Sequence, residues 1–254
     1  MTNEYKIYLD TFFTTILEYK HTTKRLNDVL IKDSEKFTQI GAKYHHVSSL
    51  VISDWCGETD NGWEKIFHTG ISFETKNYAS EIHNILSREF CLIYSQSFES
   101  FEKYLKDCIY LRSNSDENFK SEIEKKLKHN QIFSRENMPS GDNLFKLIKK
   151  IDPYSFEKHS SENNMNIEFD AMWKVLSKAR HSIIHSKSII KVSELKSNKH
   201  YGEVFDYLFY SISLDENSIQ IKLDHKKFET LIKRFSEFAF QIFKIISEKE
   251  NLEI

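Results

Sequence analysis

Residues 73–112 read FETKNYASEIHNILSREFCLIYSQSFESFEKYLKDCIYLR, a stretch with neither glycine nor proline. Leu86, Phe90, Tyr94, Ser97, Phe101, Leu105 and Cys108 recur at steps of three and four along it. That spacing stacks them on one face of an α-helix, so the stretch predicts a long central helix with its stripe turned to a core. Upstream, Tyr5, Tyr8, Phe12, Ile16, Tyr19, Leu26 and Leu30 keep similar steps. They predict an amphipathic helix from Asn3 to about Phe37, interrupted by Gly41. The segment Tyr44–Ile52 fits a strand or a helix equally well. Trp55–Trp63, with an Asn-Gly pair and two of the glycines, reads as a loop. The resulting division is residues 1–72, an N-terminal helical elaboration, and residues 73–254, the helical domain proper.

Downstream, Ser115–Lys128 predicts a short charged helix resting on Ile123 and Leu127. Met138-Pro139-Ser140-Gly141-Asp142 breaks the chain. Asp142 is expected to cap a helix through Lys150, which Asp152-Pro153 ends. Ser160–Asn166 reads as a polar loop. Phe169, Met172, Trp173, Leu176 and Ala179 mark a further helix. Val204–Leu214 and Ile219–Leu223 alternate around Asp215-Glu216-Asn217-Ser218, predicting a β-hairpin near residues 204–223. Phe228, Leu231, Ile232, Phe235, Phe238, Ile242, Phe243 and Ile246 give the cleanest helical pattern.

Composition agrees with a mainly α fold. The 254 residues contain 6 Gly and 2 Pro, where average usage would give roughly 18 and roughly 13. Many-stranded barrels and sandwiches need more turn residues than that. With 29% charged and 39% hydrophobic residues, the chain reads as a globule and not as a disordered polymer. No secretion signal and no membrane-spanning run stand out. Cys56, Cys91 and Cys108 are odd in number and scattered, as reduced thiols in a cytoplasm would be.

The stretch richest in chemistry is Lys178-Ala179-Arg180-His181-Ser182-Ile183-Ile184-His185-Ser186. From Ala171 to Gly202 seven cations (Lys174, Lys178, Arg180, Lys187, Lys191, Lys196, Lys199) face Glu194 alone. That is a local excess of six in a chain of net charge −2. Such an island suits a phosphate backbone, and Lys174, Lys178, Lys187 and Lys191 are its candidate contacts; solvated surface lysines are the plain alternative. His can act as acid or base near neutral pH, and Arg can bind two phosphate oxygens with its fork.

Arg180, four intervening residues and His185 resemble the Rx4–6H motif of HEPN (higher eukaryotes and prokaryotes nucleotide-binding) ribonucleases. Glu99-x3-Lys103 on the long helix is similar to the acidic E-x3-K/R helix that faces this motif in many members. The resemblance covers about residues 73–250. It implies a HEPN-like helical bundle with the hairpin appended. It also implies metal-independent endoribonuclease chemistry, without a cofactor, that ends in a 2′,3′-cyclic phosphate. Arg180 would clamp the phosphate, His185 would be general acid or base, Glu99 would orient His185, and Lys103 would add charge. The partners implied are RNA and a second copy in a homodimer with a composite site. A toxin or antiphage role under an antitoxin or other regulatory protein belongs to the same expectation, with no membrane involved.

Geometry complicates that picture. Residues five apart on an α-helix point about 140° apart, so Arg180 and His185 share no face of an unbroken helix. Either the helix ends or bulges between them, or they act in different protomers; His181, four before His185, is an equally good candidate on spacing. Other readings stand beside this one. Arg180 lies near the Phe169–Trp173–Leu176 stripe, where a structural Arg paired with a carboxylate would fit. Glu99/Lys103 and Glu102/Lys106 are ordinary helix-stabilising pairs by spacing. His181 and His185 have metal-ligand spacing but lack a third ligand nearby in sequence. No phosphate-binding glycine loop and no nucleophile elbow occurs.

Overall fold

The structure, a computed structural model, describes residues 3–59, 62–127, 131–196 and 198–254, with residues 53–59, 62–68 and 196 described by backbone alone. The chain is mainly helical, with small antiparallel sheets. In order it forms α1 (Glu4–Lys36), β1 (His45–Thr59), β2 (Gly62–Glu74), α2 (Thr75–Ser113), α3 (Glu117–Glu124), α4 (Gly141–Ile151) and α5 (Pro153–Ser161). There follow α6 (Phe169–His185), β3 (Ile189–Lys191), α7 (Val192–Lys196), α8 (Lys199–Leu208), β4 (Tyr210–Ser213), β5 (Ser218–Lys222) and α9 (His225–Lys249). No described helix is long and apolar enough to cross a membrane.

Two compact units divide the chain, Met1–Lys24 with Ser87–Ile254, and Arg25–Leu86. A border at residues 72/73 would fall near the end of β2. Residues up to Lys24 group with the large unit because the α1 stripe is spent on it. Phe12 lies 5.7 Å from Phe101 and 5.8 Å from Phe235, ring to ring. The α2 stripe forms the middle of that core, with Phe90, Tyr94, Phe101, Leu105 and Cys108 fully enclosed. Phe101 also meets Phe235 of α9 at 4.7 Å, edge on, and Trp173 of α6 stacks on Phe145 of α4 at 4.8 Å. Rings at these separations add to area burial through their quadrupoles. One residue links two helices: Asp152 ends α4, and its carboxylate accepts from the Ser155 amide at the start of α5, where Pro153 costs no helical hydrogen bond.

The small unit contains the ends of α1 and α2 that flank a two-stranded ribbon. β1 and β2 pair antiparallel from His45 opposite Glu74 to Thr59 opposite Gly62, with irregular register near Ser53. Gly41, at φ +85°, turns the chain out of α1 into the ribbon in a conformation that β-carbons disfavour. The rings of Phe37, Tyr44 and Tyr78 close its base at 4.1–4.9 Å, and Tyr78 donates a hydrogen bond to Asp33.

Several expectations are corrected. Trp55–Thr59 and Gly62–Trp63 are strand, not loop, because the two arms pair with each other, Glu58 opposite Trp63 and Thr59 opposite Gly62. Asp60 and Asn61 lie outside the described residues. The ambiguous Tyr44–Ile52 segment is strand from His45 on. The helix expected over 115–128 is confined to Glu117–Glu124, with Lys128 outside the described residues. Ser140, not Asp142, is the α4 cap, and it makes no side-chain capping bond. The polar loop begins later than Ser160, since α5 runs to Ser161. Val204–Leu208 belongs to α8, whose buried Val204, Phe205 and Leu208 also satisfy helical spacing. The remaining hairpin, β4–β5, acquires β3 as a third strand in the order β3-β5-β4.

Candidate functional site

α6 carries most of the candidates, and its first half explains where they point. Phe169, Met172, Trp173, Val175, Leu176 and Ala179 are buried. Tyr94 of α2 fixes the helix rotation by donating from its hydroxyl to the Leu176 carbonyl at 2.7 Å, and Trp173 Nε1 donates to Asp142 Oδ1 at 3.2 Å. With that stripe inward, Arg180 emerges at the flank facing α2. Its Nη2 donates to Glu99 Oε1 at 2.8 Å; its side chain is 26% exposed, and its buried Nε has no partner among the described residues.

Arg180 and Glu99 line a cleft together with Glu102, Lys103, Lys106, Asp107, Arg135, Glu136, Ser140 and Gly141, with a volume of about 830 Å³. Three of the sequence candidates, Glu99, Lys103 and Arg180, thus come together. The expected i,i+4 pairs do not dominate there. Glu99 reaches Arg180, and Glu102 accepts from the Gly141 amide at 2.9 Å, satisfying one of the open donors at the start of α4. Sequence reasoning missed Arg135. It lies in an irregular segment without periodicity, and its Nε donates to Asp107 Oδ1 at 2.6 Å, which raises the guanidinium pKa further.

His181 and His185 sit together on another side of α6, exposed, with ring centroids 4.8 Å apart. Neither lines the Arg180 cleft. The helix is unbroken from Arg180 to His185 and ends only at Ser186, where the amides of Ser186 and Ser188 both donate to Ser182 O. A break or bulge between Arg180 and His185 is therefore excluded, and in one copy the two residues face different ways. No cluster of three or more His, Cys, Asp or Glu side chains able to hold a metal ion occurs among the described residues.

The lysine island is partly compensated. Lys178 bonds Glu194 of α7 at 2.5 Å, and Lys174 lies 3.8 Å from Asp142. The Lys178 hydrogen bond, with the nearby charges of Lys191 and His181, holds the Glu194 carboxyl below its ordinary pKa. Lys199 lies 3.6 Å from Glu203. Lys187 and Lys191 are exposed and make no ion pair within 4.0 Å among the described residues; the Lys196 side chain lies outside the description. Lys187 and Ser188 adopt φ of 52° and 65°, which folds the chain sharply from α6 into β3.

The fold and site define a mainly helical protein whose α2 and α6 present a charged cleft beside an exposed pair of histidines. Comparisons with protein-family models, with curated proteins and with solved structures give no match to this chain.

Proposed function

We propose that this chain is a metal-independent endoribonuclease of HEPN type, working in the cytoplasm as a toxin or antiphage effector under a regulatory partner. The observation that carries the proposal is the 2.8 Å contact between Arg180 of α6 and Glu99 of α2. The two parts of the motif, far apart in sequence, meet at a cleft that also holds Lys103. Transphosphorylation of RNA needs a base to take the 2′-hydroxyl proton, an acid to protonate the departing 5′-oxygen, and positive charge on the phosphate between them. Arg180 supplies the charge, released from Glu99 when phosphate arrives. His185 or His181 supplies proton transfer. Because Arg180 and His185 face different ways in one copy, the working site is composite, with the histidine of one protomer serving the Arg180 cleft of its twin. The ends produced are a 2′,3′-cyclic phosphate and a 5′-hydroxyl.

One feature favours a second reading, in which the chain is a catalytically silent helical module that binds nucleotides or a protein. Arg180 is already neutralised and mostly covered, as a structural cation would be. Purified wild type, His185→Ala, His181→Ala and Arg180→Ala, incubated with RNA in excess EDTA, separate the two. The first reading expects wild type to cleave, Arg180→Ala to lose a factor of about 10² or more, and at least one histidine variant to lose as much, all with helical circular dichroism intact. Intact RNA with wild type would leave the silent module, and full activity in all three variants would remove Arg180, His181 and His185 from the chemistry. Unfolding of Arg180→Ala alone would assign that side chain to structure.

A further inference from the structure

Among the described residues the β1–β2 ribbon pairs with no third strand, and it carries apolar side chains on both faces. On one face stand Val47 and Val51, 54% and 45% exposed; on the other stand Leu50, Ile52 and Ile71, 55%, 43% and 61% exposed. A lone two-stranded ribbon is marginal in water, and burying one more strand is what stabilises it. The two edges differ in the devices that normally prevent such pairing. Along the stretch that pairs with residues 45–53, β2 carries Lys65, Gly70 and Glu74, while the charges and glycine of β1 (Asp54, Gly57, Glu58) come only beyond Ser53, where the register is irregular. The first nine residues of β1, His45-His46-Val47-Ser48-Ser49-Leu50-Val51-Ile52-Ser53, contain no Lys, Arg, Asp, Glu, Pro or Gly. The open edge of β1 is therefore the one built to receive a strand.

We propose that the strand it receives is β1 of a second copy of this chain, so that two ribbons join into a four-stranded antiparallel sheet. Three points select a copy. First, an antiparallel strand pair is its own two-fold partner, the isologous arrangement that closes a dimer without leaving a growing edge on β1. Second, residues directly opposite in an antiparallel pair lie on the same face, so under the two-fold each residue must meet one of its own parity. Third, of the registers so allowed, the one centred on Ser49 sets Val47 against Val51 of the twin on one face. On the other it sets Ser48 against Leu50 and His46 against Ile52. All nine residues are paired, and no formal acid or base of one chain faces one of like sign. The Val47–Val51 pair, made twice across the two-fold, is the apolar, β-branched kind of cross-strand pair that stabilises a sheet. This interface is a contact separate from the α6 contact of the composite ribonuclease site, and it stands or falls without that reading.

The test is a charge exchange at the axis. Wild type should sediment at no less than twice the 30.2 kDa monomer mass at micromolar concentration, a larger multiple meaning that an α6 contact forms as well. Ser49→Lys and Ser49→Asp each place like charges against themselves at the two-fold and should each weaken the dimer at least about tenfold. Mixed one to one, they should recover a dimer, since Lys now meets Asp. Helical circular dichroism and melting profiles of the separate variants should match wild type at the large unit. In a Cys56→Ser background, Ser49→Cys should give a disulfide-linked dimer on mild oxidation. A monomeric wild type, a Ser49→Lys protein that remains fully dimeric, or a mixture that fails to pair would each overturn the proposal. A dimer lost only through Arg180 or His185 substitutions would place the interface on α6 instead.

Discussion

The aromatic core and the β1–β2 ribbon put comparable apolar residues to opposite uses. On α2, Phe90, Tyr94 and Phe101 are enclosed because three- and four-residue steps aim them all at α1, α6 and α9. On β1, Val47, Leu50, Val51 and Ile52 alternate between two faces, and all four are exposed. Periodicity decides whether hydrophobicity becomes stability inside one chain or an invitation to another. A helix gathers its apolar residues to one side, whereas a strand with apolar residues at odd and even positions needs two covers.

Phe235→Ala should break the core side of this contrast most severely. Its ring meets Phe12, Tyr94, Phe98 and Phe101 and is fully buried. Equilibrium urea unfolding should show a loss of about 3–5 kcal/mol. Ile71→Ala on the ribbon should shift the same curve by less than about 0.5 kcal/mol. Comparable losses at both sites would mean that the ribbon is covered within its own chain.

Tyr94→Phe sharpens the comparison at one atom. It removes the hydroxyl that ties α2 to the Leu176 carbonyl and should cost about 1 kcal/mol. The accompanying freedom of α6 would appear as faster amide exchange near Arg180.

Glu194→Gln tests the margin of the large unit. The folded pKa of Glu194 is lowered, chiefly by the Lys178 hydrogen bond. Its contribution is therefore fully present above the unfolded carboxylate value of about 4.3. It disappears as the pH falls from there through the depressed folded value. Thermal melts should show the variant slightly below wild type at pH 7 and level with it in stronger acid. A gap that persists in acid would mean that shape and not charge is at work.

The smallest expected effect is at the thiols. Burial raises Cys91 to about 12, and Cys108 higher still. Neither should react with an aromatic disulfide reagent at pH 8 until the protein is denatured. Modification of the native protein there would show that the core opens.

What could be read in advance follows the same division. The α1, α2, α6 and α9 helices were legible because their apolar faces repeat over several turns. The ribbon was not, because Trp55, Cys56 and Gly57 surround one of the few glycine signals and mimic a loop. Val204–Leu208 misled for a related reason: five residues fit periods of two and of 3.6 together, and packing of Phe205 and Leu208 chose the helix. In the candidate site, the meeting of Glu99 with Arg180 was expected only through family resemblance. The contacts of Lys178 with Glu194, Arg135 with Asp107 and Glu102 with Gly141 were not foreseeable, since none follows from spacing along a single helix.

The seat of α1 has a consequence for synthesis on the ribosome. Asn3 bonds to Ser247 and to the Glu253 carbonyl, and Phe12 packs against Phe235. At roughly 5–20 residues per second, the partner ring of Phe12 on α9 is made roughly 10 to 45 s after Phe12 itself. Through that interval the stripe of Tyr5, Leu9, Phe12 and Ile16 has only the α2 half of its seat to occupy. α1 is thus made well before the helix that completes its seat, and in the nascent chain its apolar stripe stays open to a holding chaperone until α9 follows.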